Sequence, residues 1–342
     1  MRFCLVACIT TGCGPSVTID PGNGGSPSTS SLGGSPEPVG GSTQVGGAPP
    51  TGGAGEGGDN FGGSLSCDEM VPAPAPFEQL FGFTGSEDFV FDELGNYVGV
   101  DGNGNLVRIS IDGQQTLWAP AIGSGFMAGM GILPDGAVIV CDAGEGSLKK
   151  ILPNGTVTTL LGGLQYPNGM DIGADGFIYV AENNDDQVRR VNPETGAFTI
   201  AAEGLLQPNG VTVSSDPKVF FVGSFGGGVV YKVEMGEDPT QPGTVSELST
   251  DFQAGLLDGI GVDECGYVYV AEYTTGVIYR ITPAGDTSVL ANVPSAWIPN
   301  IKWGRGLGGF ARDVMYVADR DQASLFAIKI NREGATEVYD VE

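Results

Sequence analysis

The sequence has no histidine among its 342 residues. That excludes a Ser-His-Asp triad, a Cys-His dyad and any histidine-ligated metal within the chain. Basic residues are scarce as well. Lys and Arg number 15 against 41 Asp and Glu, a formal net charge of −26. Not one Lys or Arg occurs between Arg2 and Arg108. Binding to a phosphate backbone needs a basic surface, so no nucleic-acid partner is expected. The acidity reads first as a solubility device. After the N-terminus no apolar run is long enough to cross a bilayer. From about residue 80 onward no window has a convincing helical period.

Cysteine is sparse and uneven: three of the six lie in the first 13 residues. Cys67, Cys141 and Cys265 match no zinc-ligand spacing. Cys141, in VIVCDAG, reads as a small buried residue inside a strand. A disulfide between Cys67 and Cys265 is compatible with an oxidising compartment, but spacing alone leaves the pairing open.

What the chain has in excess is glycine, 58 residues, concentrated between about 14 and 66. That tract lacks the large apolar side chains that would offset the entropy of ordering it, so it reads as a flexible linker. Its r.m.s. reach is roughly 40 Å. Before it stands MRFCLVACITTGCGPS: a basic start, a short apolar run, then Gly-Cys-Gly. This pattern predicts an export signal. It also resembles a bacterial lipoprotein signal, which would lipidate a cysteine. Cys13 directly precedes the linker and leaves the longer apolar segment; Cys8 fits the small-residue pattern better but after a very short run. A disordered N-terminus with no signal function is the alternative. The organisation expected is a signal segment at 1–13, a linker at 14–70 and one domain at 71–342. The protein would be extracytoplasmic, either secreted or touching a membrane only through its N-terminal lipid anchor, and monomeric.

The domain repeats. YPNGMDIGADGFIYVAEN at 166, QPNGVTVSSDPKVFFVGSF at 207 and LLDGIGVDECGYVYVAEY at 256 are copies of one pattern. Aligned on the start of each inner apolar run, six copies begin at 87, 128, 168, 209, 258 and 300, at spacings of 41, 40, 41, 49 and 42. The long spacing contains the polar insertion MGEDPTQPG. Each copy holds four short segments, β-branched or aromatic, alternating with period two and separated by Asx-Gly and Pro-x-Gly turns. Six such units predict an all-β, six-bladed β-propeller of four antiparallel strands per blade. Two segments compete to complete the last blade: FEQLFGF at 77–83 and ATEVYDVE at the C-terminus.

In a propeller the first strand of each blade lines the central channel. The equivalent residues Glu87, Ala128, Asn168, Asn209, Asp258 and Asn300 then form a ring. Five of these six carry a side-chain oxygen. Hard oxygen donors with two formal negative charges suit Ca²⁺ or another hard divalent ion. The competing explanation is local: Asn-Gly and Asp-Gly are common turn residues whose side chains cap their own backbone. Glu182, Glu272 and Asp142 end second strands, where they either reach the channel mouth or lie solvated in loops. Lys302, just after Asn300, is the one basic residue expected near the ring.

On these motifs, residues 80–342 resemble the family of gluconolactonase, regucalcin (senescence marker protein) and luciferin-regenerating enzyme. Paraoxonase and strictosidine synthase are more distant relatives on the same fold. The resemblance implies that Glu87, Asn168, Asn209 and Asp258 hold a divalent cation, because family ligands fall at those points of blades one, three, four and five. The stretch Ile298-Pro299-Asn300-Ile301-Lys302-Trp303-Gly304 matches the apolar-aromatic-Gly run of blade six. Gly85-Ser86-Glu87-Asp88 is similar to the start of the paraoxonase calcium site. A second, deeper ion would need Asp88 and an Asp directly after Asn168; Gly169 stands there, so none is expected. The basic residue that gluconolactonases often place before the blade-three Asn is replaced by Tyr166 and Pro167, which argues against a sugar-acid lactone. The activity implied is hydrolysis of a small lactone or ester. Asp258 would be both ligand and base, and Tyr166, Glu182, Asn300 and Lys302 would face substrate. A non-catalytic, NHL-like binding propeller is the rival, and a strictosidine-synthase-like condensing enzyme a third possibility.

Overall fold

A computed structural model describes residues 65–335. Cys13, most of the proposed linker and most of ATEVYDVE lie outside the described residues. Among those described there are 24 strands and no helix. They form six four-stranded sheets, as the repeat predicts.

The inner strands are Phe89–Phe91, Met127–Ile132, Pro167–Ile172, Pro208–Val213, Leu257–Val262 and Ile301–Trp303. In blades one to five the chain steps outward through four antiparallel strands in sequence order. In blade three these are Pro167–Ile172, Ile178–Glu182, Gln187–Val191 and Phe198–Glu203. The turn between its first two strands places Gly176 at φ +77°, a left-handed conformation that costs glycine little.

Blade six is assembled from both ends of the domain. Its fourth strand is Phe77–Phe81, paired antiparallel with Ser324–Lys329 from Phe77↔Ile328 to Phe81↔Ser324. FEQLF therefore completes the last blade. The circle is closed by backbone hydrogen bonds between segments about 250 residues apart, and the last blade has no missing strand at its rim.

The hydrophobic core is divided among the blade interfaces. Tyr179 and Ala181 of blade three pack with Val211, Phe220 and Val222 of blade four. Phe221 and Val230 pack with Ile260 and Val270 of blade five. Phe89, Phe91 and Tyr97 of blade one meet Tyr316 and Leu325 of blade six. Second strands are covered on both faces, which is why VIVCD, IYVAE and VYVAE are buried throughout. Cys141 is a buried free thiol in one of them, as expected.

The domain begins earlier than residue 71. Cys67 is disulfide-bonded to Cys265, with Cα atoms 5.3 Å apart. The fully buried Arg332 reaches the carbonyls of Ser66, at 3.1 Å, and Glu69. Val71 and Ala75 sit in the core between blades five and six. Residues 65–70, assigned to the linker by composition, are thus tied to the propeller by covalent and buried polar contacts.

Candidate functional site

The ring residues owe their direction to an irregularity that four blades share. Pro167 pairs with Glu182 and Met170 with Val180, so three steps on the inner strand face two on its partner. The same slip occurs between Met127 and Met130, Pro208 and Val211, and Leu257 and Ile260. It is a β-bulge holding Ala128-Gly129, Asn168-Gly169, Asn209-Gly210 and Asp258-Gly259. Bulges re-aim a side chain and are common beside active sites. Asn-Gly and Asp-Gly are therefore inner-strand residues here, and the turn explanation fails at these positions.

The glycines have their own reason. A Cβ on Gly169 would lie 2.3 Å from the carbonyl oxygen of Asn209, and one on Gly210 2.2 Å from that of Asp258. On Gly129 it would lie 2.3 Å from the carbonyl oxygen of Asn168. Each glycine lets one inner strand touch the ring residue of the next blade. Just before the ring, Tyr166 and Gln207 adopt φ values of +59° and +45°. A non-glycine left-handed residue is costly, and such strain gathers at functional sites.

Glu87, Asn168, Asn209, Asp258 and Asn300 line one cavity, together with Asp88. Its volume is about 10 Å³, room for a single water-sized occupant. Asn168, Asn209 and Asp258 are buried, and Glu87 is nearly so. The Asn209 amide donates to Asp258, while its buried Oδ1 has no hydrogen-bond partner. Asn300 is already engaged, its Oδ1 accepting the N–H of Ile301 at 2.6 Å. Among the described residues no group of three or more His, Cys, Asp and Glu side chains forms a cation cage. The donor set is instead two carboxylates with neutral amides. An orphaned amide oxygen in a cavity lined by carboxylates fits a hard cation, and Ca²⁺ accepts mixed carboxylate and amide ligands.

Burial shapes the charges. Desolvation raises Glu87 to about 7, against the opposing pull of Arg320, and Asp88 adds to the rise. Asp258 is pushed well above the usual carboxylate range, first by burial and then by Glu87. Three carboxylates, Glu87, Asp88 and Asp258, face one small cavity and resist ionising together unless a positive charge joins them.

Arg320 supplies one, and the repeat did not reveal it. Arg320 follows the second strand of blade six, Val314–Asp319. Its Nη1 lies 2.5 Å from Glu87 Oε2 and 3.2 Å from the Tyr273 hydroxyl, with its Cζ 5.4 Å from the centre of the Phe126 ring. The signal in the sequence was an arginine at a second-strand end in a chain poor in basic residues.

Lys302 is elsewhere. It lines the deeper channel with Asp171 and Trp303, its Nζ 4.0 Å from Asp88 Oδ2. Asp88, raised by burial to about 6, accepts the N–H groups of Phe89 and Met130, both at 2.6 Å. An ammonium stands beside Asp88 in a channel that Asp171 also lines. Lys302 thus belongs to the deeper channel, and Arg320 is the basic residue at the ring.

Glu182, Glu272 and Asp142 are wholly buried, so the solvated-loop picture is wrong. Glu182 accepts the Gln165 N–H at 2.7 Å and Gln187 Nε2 at 2.5 Å, and pairs with Arg189. Glu272 accepts the N–H groups of Ala254, at 2.6 Å, and Gly255, at 3.0 Å. Asp142 accepts those of Ser124, at 3.3 Å, and Glu145, at 3.0 Å. These carboxylates pin the loop that leads into the inner strand of their own blade. Glu182 is not brought to the ring. Tyr166 stands next to Pro167 and Asn168, its side chain partly exposed and its carbonyl accepting the Asn183 N–H at 3.2 Å.

Comparison with known proteins agrees with the family resemblance. Residues 179–320 match the SMP-30/Gluconolactonase/LRE-like region. A gluconolactonase of Zymomonas mobilis is 25% identical over 187 residues, covering 46% of this chain and 52% of that protein. The chain spans about half the length of the curated relatives it matches. Among solved structures, a gluconolactonase from Xanthomonas campestris superposes with TM-score 0.64 at 18% identity, covering 75% of this chain and 90% of the other. Regucalcin from Agrobacterium tumefaciens, a calcium-binding protein, gives 0.59 at 15% identity, covering 75% and 96%. At these identities the structures attest the fold.

Proposed function

We propose that this propeller, related to the SMP-30/gluconolactonase/LRE-like proteins, is a divalent-cation-dependent hydrolase of small lactones or esters. The observation that carries the reading is the channel cavity, which Glu87, Asn168, Asn209 and Asp258 line together and where the buried Oδ1 of Asn209 has no hydrogen-bond partner. These four residues would hold Ca²⁺ or a similar hard ion, which when bound supplies a positive charge to polarise a carbonyl and stabilise the oxyanion.

The protein's own groups account for the rest. Asp258 takes a proton from the water that adds to the carbonyl carbon. The acyl C–O bond then breaks, and the leaving alkoxide takes the proton back. Arg320 and Tyr273 stand at the ring, Asn300 is part of it, and Tyr166 shortly precedes its blade-three member Asn168.

An extracytoplasmic location is part of the proposal. It is supported by the disulfide between Cys67 and Cys265, since such bonds persist in oxidising compartments. Replacing Cys13 with Ser should release the protein from membranes; membrane association that survives replacement of both Cys13 and Cys8 removes the lipid anchor.

A panel of lactones and aryl esters, assayed with Ca²⁺ and with chelator, tests the activity. Turnover that requires the ion is expected. Should the protein bind Ca²⁺ and hydrolyse nothing, the binding-module reading replaces this one.

A further inference from the structure

Glu87 has two claimants. As a cation ligand it must turn a carboxylate oxygen to the ion, yet its Oε2 is taken by Arg320 Nη1 at 2.5 Å. The arginine is not committed to that contact alone. The same nitrogen donates to the Tyr273 hydroxyl at 3.2 Å, and the guanidinium lies over Phe126. Its side chain is 30% exposed, against 10% for Glu87, so it has room toward the mouth that the carboxylate lacks. Its backbone is held, the N–H donating to the Trp297 carbonyl at 3.0 Å, which leaves the side chain to move about a fixed root.

Charge makes the two claims exclusive. Glu87 and Asp258 carry two negative charges when ionised, and Lys302 stands at Asp88, deeper in the channel. A divalent ion balances the two ring carboxylates by itself. A guanidinium kept within hydrogen-bond reach of Glu87 would then stand a few ångströms from a doubly charged ion, in a site where burial weakens screening.

We propose that Arg320 is a built-in competitor of the divalent cation: the guanidinium and the ion hold Glu87 alternately, and ion binding turns Arg320 off Glu87 toward Tyr273 and Phe126 at the mouth. This rests on reading the ring as a cation site. The competition lowers the site's affinity for the ion and keeps Glu87 paired when the ion leaves.

Calorimetric titration of the full chain with CaCl2 tests the exchange. Arg320→Gln removes the competitor and should tighten Ca²⁺ binding by about 10- to 100-fold. Arg320→Lys keeps the charge and should stay within about threefold of the wild type. Tyr273→Phe removes a contact that Arg320 already makes beside Glu87, so it should change Ca²⁺ affinity less than Arg320→Gln does; an equal or larger gain would mean that the guanidinium is not the competitor. Melting curves in chelator check that each variant is folded. Equal or weaker binding in Arg320→Gln overturns the proposal while leaving the ring as a cation site, provided the wild type binds. If neither the wild type nor Arg320→Gln binds Ca²⁺, the cation site falls and the competition with it.

Discussion

Asp258 is asked to do two things, and a single substitution separates them. Asn keeps an oxygen for the cation but cannot take a proton. Asp258→Asn should therefore keep measurable Ca²⁺ binding by calorimetry, weakened by the lost charge, while turnover falls about 10²–10⁴-fold, the usual worth of a positioned base. Glu87→Gln should do the reverse, weakening the ion before it touches the chemistry. Glu87 also sets a pH dependence. Burial raises its carboxyl to about 7 in the folded protein, above the range expected unfolded. The neutral folded form binds a proton that the unfolded chain has released. This contribution is fully present below the ordinary carboxylate range and is lost as pH rises through about 7. Gln cannot ionise. In chelator, the melting temperature of Glu87→Gln relative to the wild type should be higher at about pH 8 than at about pH 5. A difference that is flat or of opposite sign means that Glu87 is not held neutral by burial.

The working element is the bulged inner strand. Its extra residue points an Asn or Asp toward the axis, and its glycine lets the next strand come close. The two features are coupled, since a strand held away from its neighbour would move the neighbour's ring residue. Gly210→Ala sets a methyl group 2.2 Å from the Asp258 carbonyl oxygen, a backbone atom with little freedom to yield. Overpacking of this kind costs about 1–3 kcal/mol. Denaturant melts should show that loss, and Ca²⁺ affinity should fall with it, because the displaced backbone carries Asp258. Normal stability and affinity would mean that the inner strands have slack. The same contact explains why Asx-Gly was ambiguous in the sequence. A turn and a bulge both favour a small residue after an Asx, and their difference lies in a neighbouring strand about 40 residues away.

At the scale of the whole molecule, closure depends on the N-terminal side. Phe77–Phe81 completes blade six, and the segment before it is held by the Cys67–Cys265 disulfide and by Arg332. The disulfide spans 198 residues of sequence. Linking points so far apart removes much of the freedom of the unfolded chain, so its loss should cost about 2–4 kcal/mol. Cys265→Ser, compared with the wild type by denaturant unfolding, should show a lower midpoint, and reductant should lower the wild type toward it. Identical midpoints would mean that the closing strand holds without the bridge.

The sequence by itself determined the cadence, the class of fold and the positions of the ring. Alternation, β-branched runs and turn residues act within a few neighbours, so a repeat near 41 residues is legible as four strands and a return. Glu87, Asn168, Asn209, Asp258 and Asn300 were legible because symmetry makes equivalent residues meet at the axis. Tertiary structure decided what no local rule reaches. It chose FEQLF as the closing strand, set Arg320 beside Glu87 across 233 residues, and paired Cys67 with Cys265. It moved Lys302 to the deeper channel and turned Glu182 inward to pin a loop. Each of these is a meeting of side chains or backbones from distant points of the chain. Such meetings depend on how the blades pack, whereas the repeat describes only what each blade contains.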